Sequence, residues 1–412
     1  MQRPLDIAIV GAGVTGLACA ALLARDGHRV VVHERFEASH PIGSGLMLQP
    51  TGQAALARLG LLDDIEAVGA RVDRLHGVTD SGATVFDLAY AELDQSYYAI
   101  GIHRAALHGV LWQAFATCGA TLETGRTIAG IEPSSDGRAA LRDDRGHVGP
   151  PFHLVLDASG ARSPLRGAVA GNGAKPFRYG AVWASVPDLG IASGRLAQRY
   201  VAASVMIGYL PIGRATTGGP ELAALFWSLR TADYDAWRKD FPQWRQRIVE
   251  LWPELAPNID LLAEPDDLTL ANYLHFTAPR PFRGPVALVG DSAHATSPQL
   301  GQGANNGLLD ALALSDAFAS ATDIAGALAL YAKSRRDHVR FYQLASWIMT
   351  PFFQSDSRSL ALTRDLTFHR LKVVPYLRRE MVRTLAGLKT GLFTHRTPKM
   401  LAGDPDRPTF RA

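Results

Sequence analysis

A short apolar run, Leu5-Asp6-Ile7-Ala8-Ile9-Val10, leads directly into Gly11-Ala12-Gly13-Val14-Thr15-Gly16, and Val14, Leu17, Ala18, Ala21 and Leu22 follow at helical spacing. Strand, glycine turn and helix in this order constrain the chain to a βαβ unit, because only glycine lets the backbone turn this tightly and approach a pyrophosphate. Gly11 serves the turn, Gly13 the close approach, and Gly16 the packing of helix on strand. The helix start offers free N–H groups and a partial positive charge to an anion. His28 to Glu34 reads as the second buried parallel strand. Glu34 at its end is placed to accept hydrogen bonds from ribose hydroxyls. This unit predicts a dinucleotide site without separating NAD from FAD.

With 412 residues, 47% hydrophobic and 20% charged, the chain is expected to be globular and larger than one ordinary domain. No apolar stretch reaches membrane-spanning length, and the first apolar run enters the glycine turn without a leader pattern, so a cytoplasmic protein is expected. Cys19 and Cys118 stand far apart, which supports neither a disulfide framework nor a metal site. Redox chemistry here needs a bound cofactor. Residues 364–412 carry 11 Lys+Arg against 4 Asp+Glu, while the rest has 31 against 35. No aromatic-interleaved basic patch accompanies this tail, so nucleic acid is disfavoured. Leu377, Met381, Leu385 and Leu388 approximate one helical face with Arg378, Arg379 and Arg383 elsewhere, which fits either a packed C-terminal helix or weak docking to a membrane or partner.

A helix is expected around Gln53 to Leu59 with Thr51 as its N-cap, and another over Arg104 to Cys118. Turn signals at Asp136-Gly137 and Arg145-Gly146 predict an antiparallel meander between Thr121 and a buried strand at Leu154–Leu156. Strand-like segments follow at Tyr179–Val186, Gln198–Leu210 and Leu222–Leu229, with a helical stretch near Trp237–Trp252. Val286–Val289 is one more buried strand before a long helix from about Asn305. Pro351, Pro375 and Pro398 are expected breaks in the helical remainder.

The second motif reads Gly290-Asp291-Ser292-Ala293-His294, then Pro298, Gly301-Gln302-Gly303-Ala304-Asn305-Asn306-Gly307 and Asp310-Ala311. An aspartate at the carboxyl end of a parallel strand sits where open α/β sheets bind ligands. Gly301 and Gly303 admit a flat ring to the backbone, and the following helix aims its positive end at it. Together with the first motif, the Gly43-Ser44-Gly45-Leu46 turn and Ile102-His103-Arg104, the chain resembles the group A flavoprotein monooxygenases, the para-hydroxybenzoate hydroxylase-like family, from residue 5 to about 340.

That resemblance implies an α/β fold: a Rossmann-type FAD-binding domain (1–71, 101–175 and 281–345), a second α+β substrate domain on a mostly antiparallel sheet (72–100 and 176–280), and a helical C-terminus (346–412). It implies FAD held by Gly11, Gly13, Thr15, Gly16, Glu34, Arg35, Gly45, Arg104, Ile128, Asp291, Pro298, Gly301, Gly303, Ala304 and Asn305. Arg35 and Arg104 would serve the ribose and pyrophosphate region, Ile128 the adenine through its backbone, and Asp291 the ribityl chain. Gly303, Ala304 and Asn305 would meet the pyrimidine edge of the flavin. NAD(P)H would act as a transient co-substrate, since no second glycine fingerprint follows a strand. Dioxygen would then pass one atom to an aromatic substrate through a flavin hydroperoxide.

Met206, Tyr209, Phe226, Trp227 and Pro298 are candidates for the substrate pocket, although alternating strand faces send about half of such residues away from any one surface. No catalytic base is identified; His103 and His294 read as packed, hydrogen-bonded histidines. One departure stands out. Asp157-Ala158-Ser159-Gly160 replaces the family's Gly-Ala-Asp-Gly, which the resemblance associates with both FAD and NAD(P)H. It also resembles the equivalent strand end in flavin halogenases and some flavin reductases, but no Trp-x-Trp-x-Ile-Pro segment is present. A flavin oxidoreductase without productive oxygen activation, and a flavin-binding protein that holds a product, are the alternatives.

Overall fold

The computed structural model describes residues 3–37, 44–171, 173–371 and 374–398. Gly43 and the tail from residue 399 lie outside them. The fold is mixed α/β, with a Rossmann-type sheet, a second, mostly antiparallel sheet, and helices toward the C-terminus.

The first sheet has six strands in the order Phe282–Arg283, Val286–Leu288, Leu154–Asp157, Asp6–Val10, Arg29–His33 and Thr121–Glu123, all parallel except the first. Its faces follow the two-residue strand period. Ile7 and Ile9 point into a core shared with the helices Val14–Arg25, Pro50–Leu59, Arg104–Thr117 and Gly303–Ser320. Ala8 and Val10 face the three-stranded meander Ile128–Pro133, Ala139–Asp143 and Val148–Phe152. Burial on both sides explains why these strands read as continuous apolar runs. Val10 pairs with Asp157 and Asp157 with Leu288, so three carboxyl ends align at one edge of the sheet.

The second sheet orders seven strands as Thr269–Ala271, Tyr179–Pro187, Leu222–Arg230, Val205–Gly213, Arg195–Val201, Arg74–Thr79 and Thr84–Ala89. One face packs Tyr209, Leu225 and Trp227 against Trp237, Phe241, Trp244 and Ile248. The other carries Met206, Leu210 and Phe226 toward a three-stranded sheet (Gly45–Leu48, Ala99–His103, Ala70–Val72) and the C-terminal helices, with Met47, Val72, Phe353, Val382 and Leu385 in the same core.

Two local expectations are corrected. The helix after Leu48 starts at Pro50 with Gln49 as its N-cap, so Thr51 lies in the first turn and caps nothing; proline at the first helical position fixes that start. The run Gln198–Leu210 is two antiparallel strands, with Val201 paired to Val205 across a three-residue loop. Ala202 takes the left-handed position there (φ 49°), a place where glycine or asparagine would have announced the turn. The amphipathic face near the C-terminus belongs to the helix Pro375–Leu385, whose Val382 and Leu385 are buried, while Leu377 stays exposed. Arg378 pairs with Glu92 and Arg383 with Glu380. Among the described residues, no helix is long and apolar enough to cross a membrane.

Candidate active site

Both signatures converge at the aligned strand ends. Gly11 has φ 104°, and a Cβ there would come within 2.7 Å of the Ala158 carbonyl oxygen. A Cβ on Gly16 would collide with the Gly11 carbonyl, whereas one on Gly13 would meet nothing. Gly11 and Gly16 are therefore required by internal packing, and Gly13 opens onto free space. Thr15 lodges its hydroxyl against Gly290 (φ 61°) and Gly307, so the two motifs pack directly on each other. Glu34 turns back toward the first motif: its carboxylate accepts from the Ala12 N–H at 2.8 Å and the Phe36 N–H at 3.2 Å. Each oxygen keeps a lone pair for a hydroxyl.

A cavity of about 980 Å³ runs from these turns to the second sheet. Its signature end is lined by Gly13, Val14, Thr15, Gly45, Arg104 and Asp291, with Pro298, Gly301, Gly303 and Ala304 alongside. Asp291 is exposed to the cavity, whose walls surround it. Burial raises its carboxyl pKa, against the pull of His294, Arg104 and Arg166. The helices that start at Val14 and Gly303 both lack a side-chain N-cap hydrogen bond. Two uncapped helix ends, a glycine cradle and a facing carboxylate form a donor and acceptor set suited to a dinucleotide carrying a flat ring and a polyhydroxyl chain. Thr296 Oγ1 and Gln299 Oε1, buried on the same wall, have no hydrogen-bond partner within the protein.

Other expected residues lie elsewhere. Asn305 spends its side chain inside the protein: Nδ2 donates to the carbonyls of Met47 (3.1 Å) and Gly301 (2.8 Å), and Oδ1 accepts from Gln49 N–H at 2.9 Å. It clamps the strand Gly45–Leu48 to the helix, leaving only its backbone to face a ligand. Arg35 is exposed, its guanidinium 4.5 Å over the Phe36 ring, and is absent from the cavity wall. Ile128 is buried at the head of its strand, also off that wall. Met206, Phe226 and Pro298 line the cavity; Tyr209 and Trp227 do not, because odd-numbered positions on those strands face the opposite core. His103 caps the helix Arg104–Thr117 by accepting from Ala105 N–H. His294 meets Asp310 at 2.6 Å.

Sequence reasoning missed the frame beneath the second motif. Asp310 is fully buried and also accepts from Arg335 Nε (2.7 Å) and the Gly290 N–H (2.8 Å). Arg335 continues to Asn306 and to His338, whose Nε2 reaches the Gly387 carbonyl at 2.8 Å. Asp310-Ala311 was visible as a motif, but its partners sit on a later helix with no local signal. The Ser159 departure also gains a shape. Its hydroxyl donates to Asp157 Oδ1 at 2.5 Å, and Ser163 donates to Asp157 Oδ2. Ala158, Gly160 and Arg162 reach the cavity while Ser159 turns from it.

An open parallel sheet with this cradle, joined through one cavity to a second sheet, defines a nucleotide-cofactor-binding fold with a cavity that continues beyond the cofactor cradle. The chain belongs to the FAD binding domain family, whose model matches residues 4–342. It is 30% identical to 3-amino-4-hydroxybenzoate 2-monooxygenase of Streptomyces cremeus over 344 residues, covering 76% of this chain and 78% of that protein. It is 26% identical to the FAD-dependent urate hydroxylase of Klebsiella pneumoniae over 346 residues, covering 81% and 86%. Among solved structures, Klebsiella pneumoniae HpxO in complex with FAD and uric acid superposes with a TM-score of 0.79 at 21% identity, covering 96% of this chain and 99% of that one. The chain is thus an FAD-binding protein whose relatives are FAD-dependent aromatic hydroxylases.

Proposed function

We propose that this protein is a single-component FAD-dependent monooxygenase that uses NAD(P)H and dioxygen to hydroxylate an aromatic or polycyclic small molecule. The supporting observation is the continuity of one cavity from Asp291 and the uncapped Gly303 helix start to Met206 and Phe226 on the second sheet. Bound FAD supplies the redox chemistry: it takes electrons from the nicotinamide and activates dioxygen for transfer of one oxygen atom.

In this reading the N–H groups at Gly13–Thr15 receive the pyrophosphate and Glu34 the ribose. Asp291 holds a ribityl hydroxyl. The free N–H groups at Gly303, Ala304 and Asn305, with the positive end of their helix, favour negative charge on the adjacent ring. The apolar sheet wall keeps water from the reacting centre. No His, Lys or Glu lines the cavity among the described residues, so no side chain there is assigned as a general base.

A flavin oxidoreductase without productive oxygen activation is the second reading, favoured by Ser159 in place of the family's Asp. Rapid-mixing spectroscopy separates the two. NAD(P)H is added without oxygen and dioxygen is then admitted, with and without aromatic ligands. Bleaching of the oxidised-flavin band, followed by a transient species before its return and by hydroxylated product, supports the monooxygenase. Reduction with direct reoxidation and no product under every ligand supports the alternative.

A further inference from the structure

The far half of the cavity reads its ligand by charge and shape. Among the described residues that line it, only Arg104, Arg162, Asp291 and Tyr273 can ionise. Arg104 acts electrostatically on Asp291, and Arg162 follows the Ala158–Gly160 turn that abuts Gly11. The cations belong to the signature side, although Arg104 also acts on Tyr273, which accepts from Trp183 Nε1. The opposing wall is Phe86, Leu196, Met206, Leu210 and Phe226, closed by Met381 and Leu385 from the C-terminal helix. A carboxylate lodged against that wall would lose its hydration without gaining a cation.

Gln198, Thr269, Asn272 and Thr384 also line the cavity, and Gln198 is engaged with Tyr200 and Met206; Gln354 differs. Gln354 is buried and lines the cavity, and its Nε2 has no hydrogen-bond partner in the protein. It follows Phe353, which is stacked on Phe86 at 5.5 Å and fixes the turn. A buried donor without a partner is costly unless a ligand acceptor meets it.

The way out of the cavity is apolar too. Phe341, Leu344, Ala345 and Ile348 share one helical face on the wall. Leu344 and Ile348 are also 58% and 47% exposed, and Leu392, likewise on the wall, is 71% exposed. Trp347 (59%) and Phe393 (76%) extend the same strip outward. A groove for small polar aromatics has no use for such a mouth; an alkyl or isoprenoid extension would ride along it.

We infer that the substrate is an uncharged, lipophilic aromatic compound with a hydrophobic extension, its ring oxygen or carbonyl accepting a hydrogen bond from Gln354 and its extension lying toward Leu344, Ile348 and Leu392. This rests on the reading of the cavity as the monooxygenase substrate site.

The test is calorimetric titration of the purified, FAD-loaded protein with phenol, 4-butylphenol, 4-octylphenol and 4-(4-hydroxyphenyl)butanoate. Affinity rises roughly fourfold per added methylene along the alkylphenols, and the carboxylate binds roughly 100-fold more weakly than 4-butylphenol, because its charge is buried unpaired. Gln354→Leu weakens the phenols by about five- to tenfold. Leu196→Arg, or Leu75→Arg if the first does not fold, reverses the preference between butanoate and butyl compound. Equal affinity for the carboxylate, or indifference to chain length, overturns the inference. Failure of the monooxygenase reading shows separately, as a flavin that NAD(P)H does not reduce. The ranking of ligands by heat does not depend on turnover.

Discussion

Asp310 lies 2.6 Å from His294 and is fully buried beneath the turn that presents Asp291. Burial alone would raise its carboxyl pKa, but His294 and Arg335 outweigh that and hold it well below the usual carboxylate range. Its negative charge therefore persists in the folded protein and binds Gly290, His294 and Arg335 into one frame. Asp310→Ala leaves the Arg335 guanidinium buried and unpaired, at a cost of about 3–5 kcal/mol. The expected result is a large drop in Tm and weakened FAD retention, read by thermal unfolding and by flavin released on gel filtration. A depressed carboxyl stabilises the fold above the unfolded value near 3.9 and loses that contribution as pH falls toward its folded value. Loss of this frame thus begins below about pH 4.

His338 continues the frame and titrates with the opposite chemistry. Burial, with Arg335 beside it, pushes its pKa down to about 3, so it is neutral at ordinary pH. Its Nε2 faces the Gly387 carbonyl and its Nδ1 faces Arg335 Nη1, which fits a proton on Nε2. The unfolded chain binds a proton near pH 6.5 that the folded chain refuses until about pH 3, so stability falls through this window on acidification. The slope is about 1.4 kcal/mol per pH unit at most. His338→Gln removes that component, and urea unfolding at pH 7, 6, 5 and 4 should show a flatter profile than the unmodified protein. An unchanged slope would show that His338 is already protonated in the fold.

Asp157 and Ser159 stand in a two-residue exchange with the family pattern: this chain has Asp then Ser where the family has Gly then Asp. Because the Ser159 hydroxyl and the carboxylate of Asp157 are hydrogen-bonded to each other, the pair is expected to act as a unit. Ser159→Asp alone sets a second carboxylate beside a buried one, with an expected loss of about 1–3 kcal/mol. Adding Asp157→Gly relieves the repulsion. A double-mutant cycle on unfolding free energy should give a coupling above about 1 kcal/mol; additive effects would mean that the two positions do not act as a unit.

What the sequence disclosed follows from the range of the interactions. The glycine turn, Glu34 and the Asp291 segment are local patterns whose conformations are dictated within a few residues, and they fall at one sheet edge. The loop at Ala202 was hidden because an alanine fills a position that usually advertises itself as glycine. The clamp from Asn305 to the strand Gly45–Leu48, and the chain from Asp310 through Arg335 to Gly387, span tens to hundreds of residues. No periodicity encodes such contacts. Gln354 and the apolar strip at Leu344 and Ile348 were invisible for the same reason, since they join the cavity only when the C-terminal helices close on the second sheet.

Phe226 and Trp227 make the face question experimental, because they are neighbours with opposite environments. Phe226 lines the cavity and packs on Trp183 with ring centroids 4.5 Å apart; Trp227 meets Trp244 edge-on at 6.1 Å in the other core. Trp227→Ala opens a closed void between sheet and helices, an expected loss of about 3–5 kcal/mol, with ligand affinity unchanged where the variant remains folded. Phe226→Ala enlarges a space that is already open, so its stability cost should be the smaller of the two while affinity for a hydrophobic phenol falls by about tenfold or more. Thermal unfolding and calorimetric titration of both variants decide the matter. A Trp227 variant that loses ligand binding at full folding would place the pocket on the other face of the sheet.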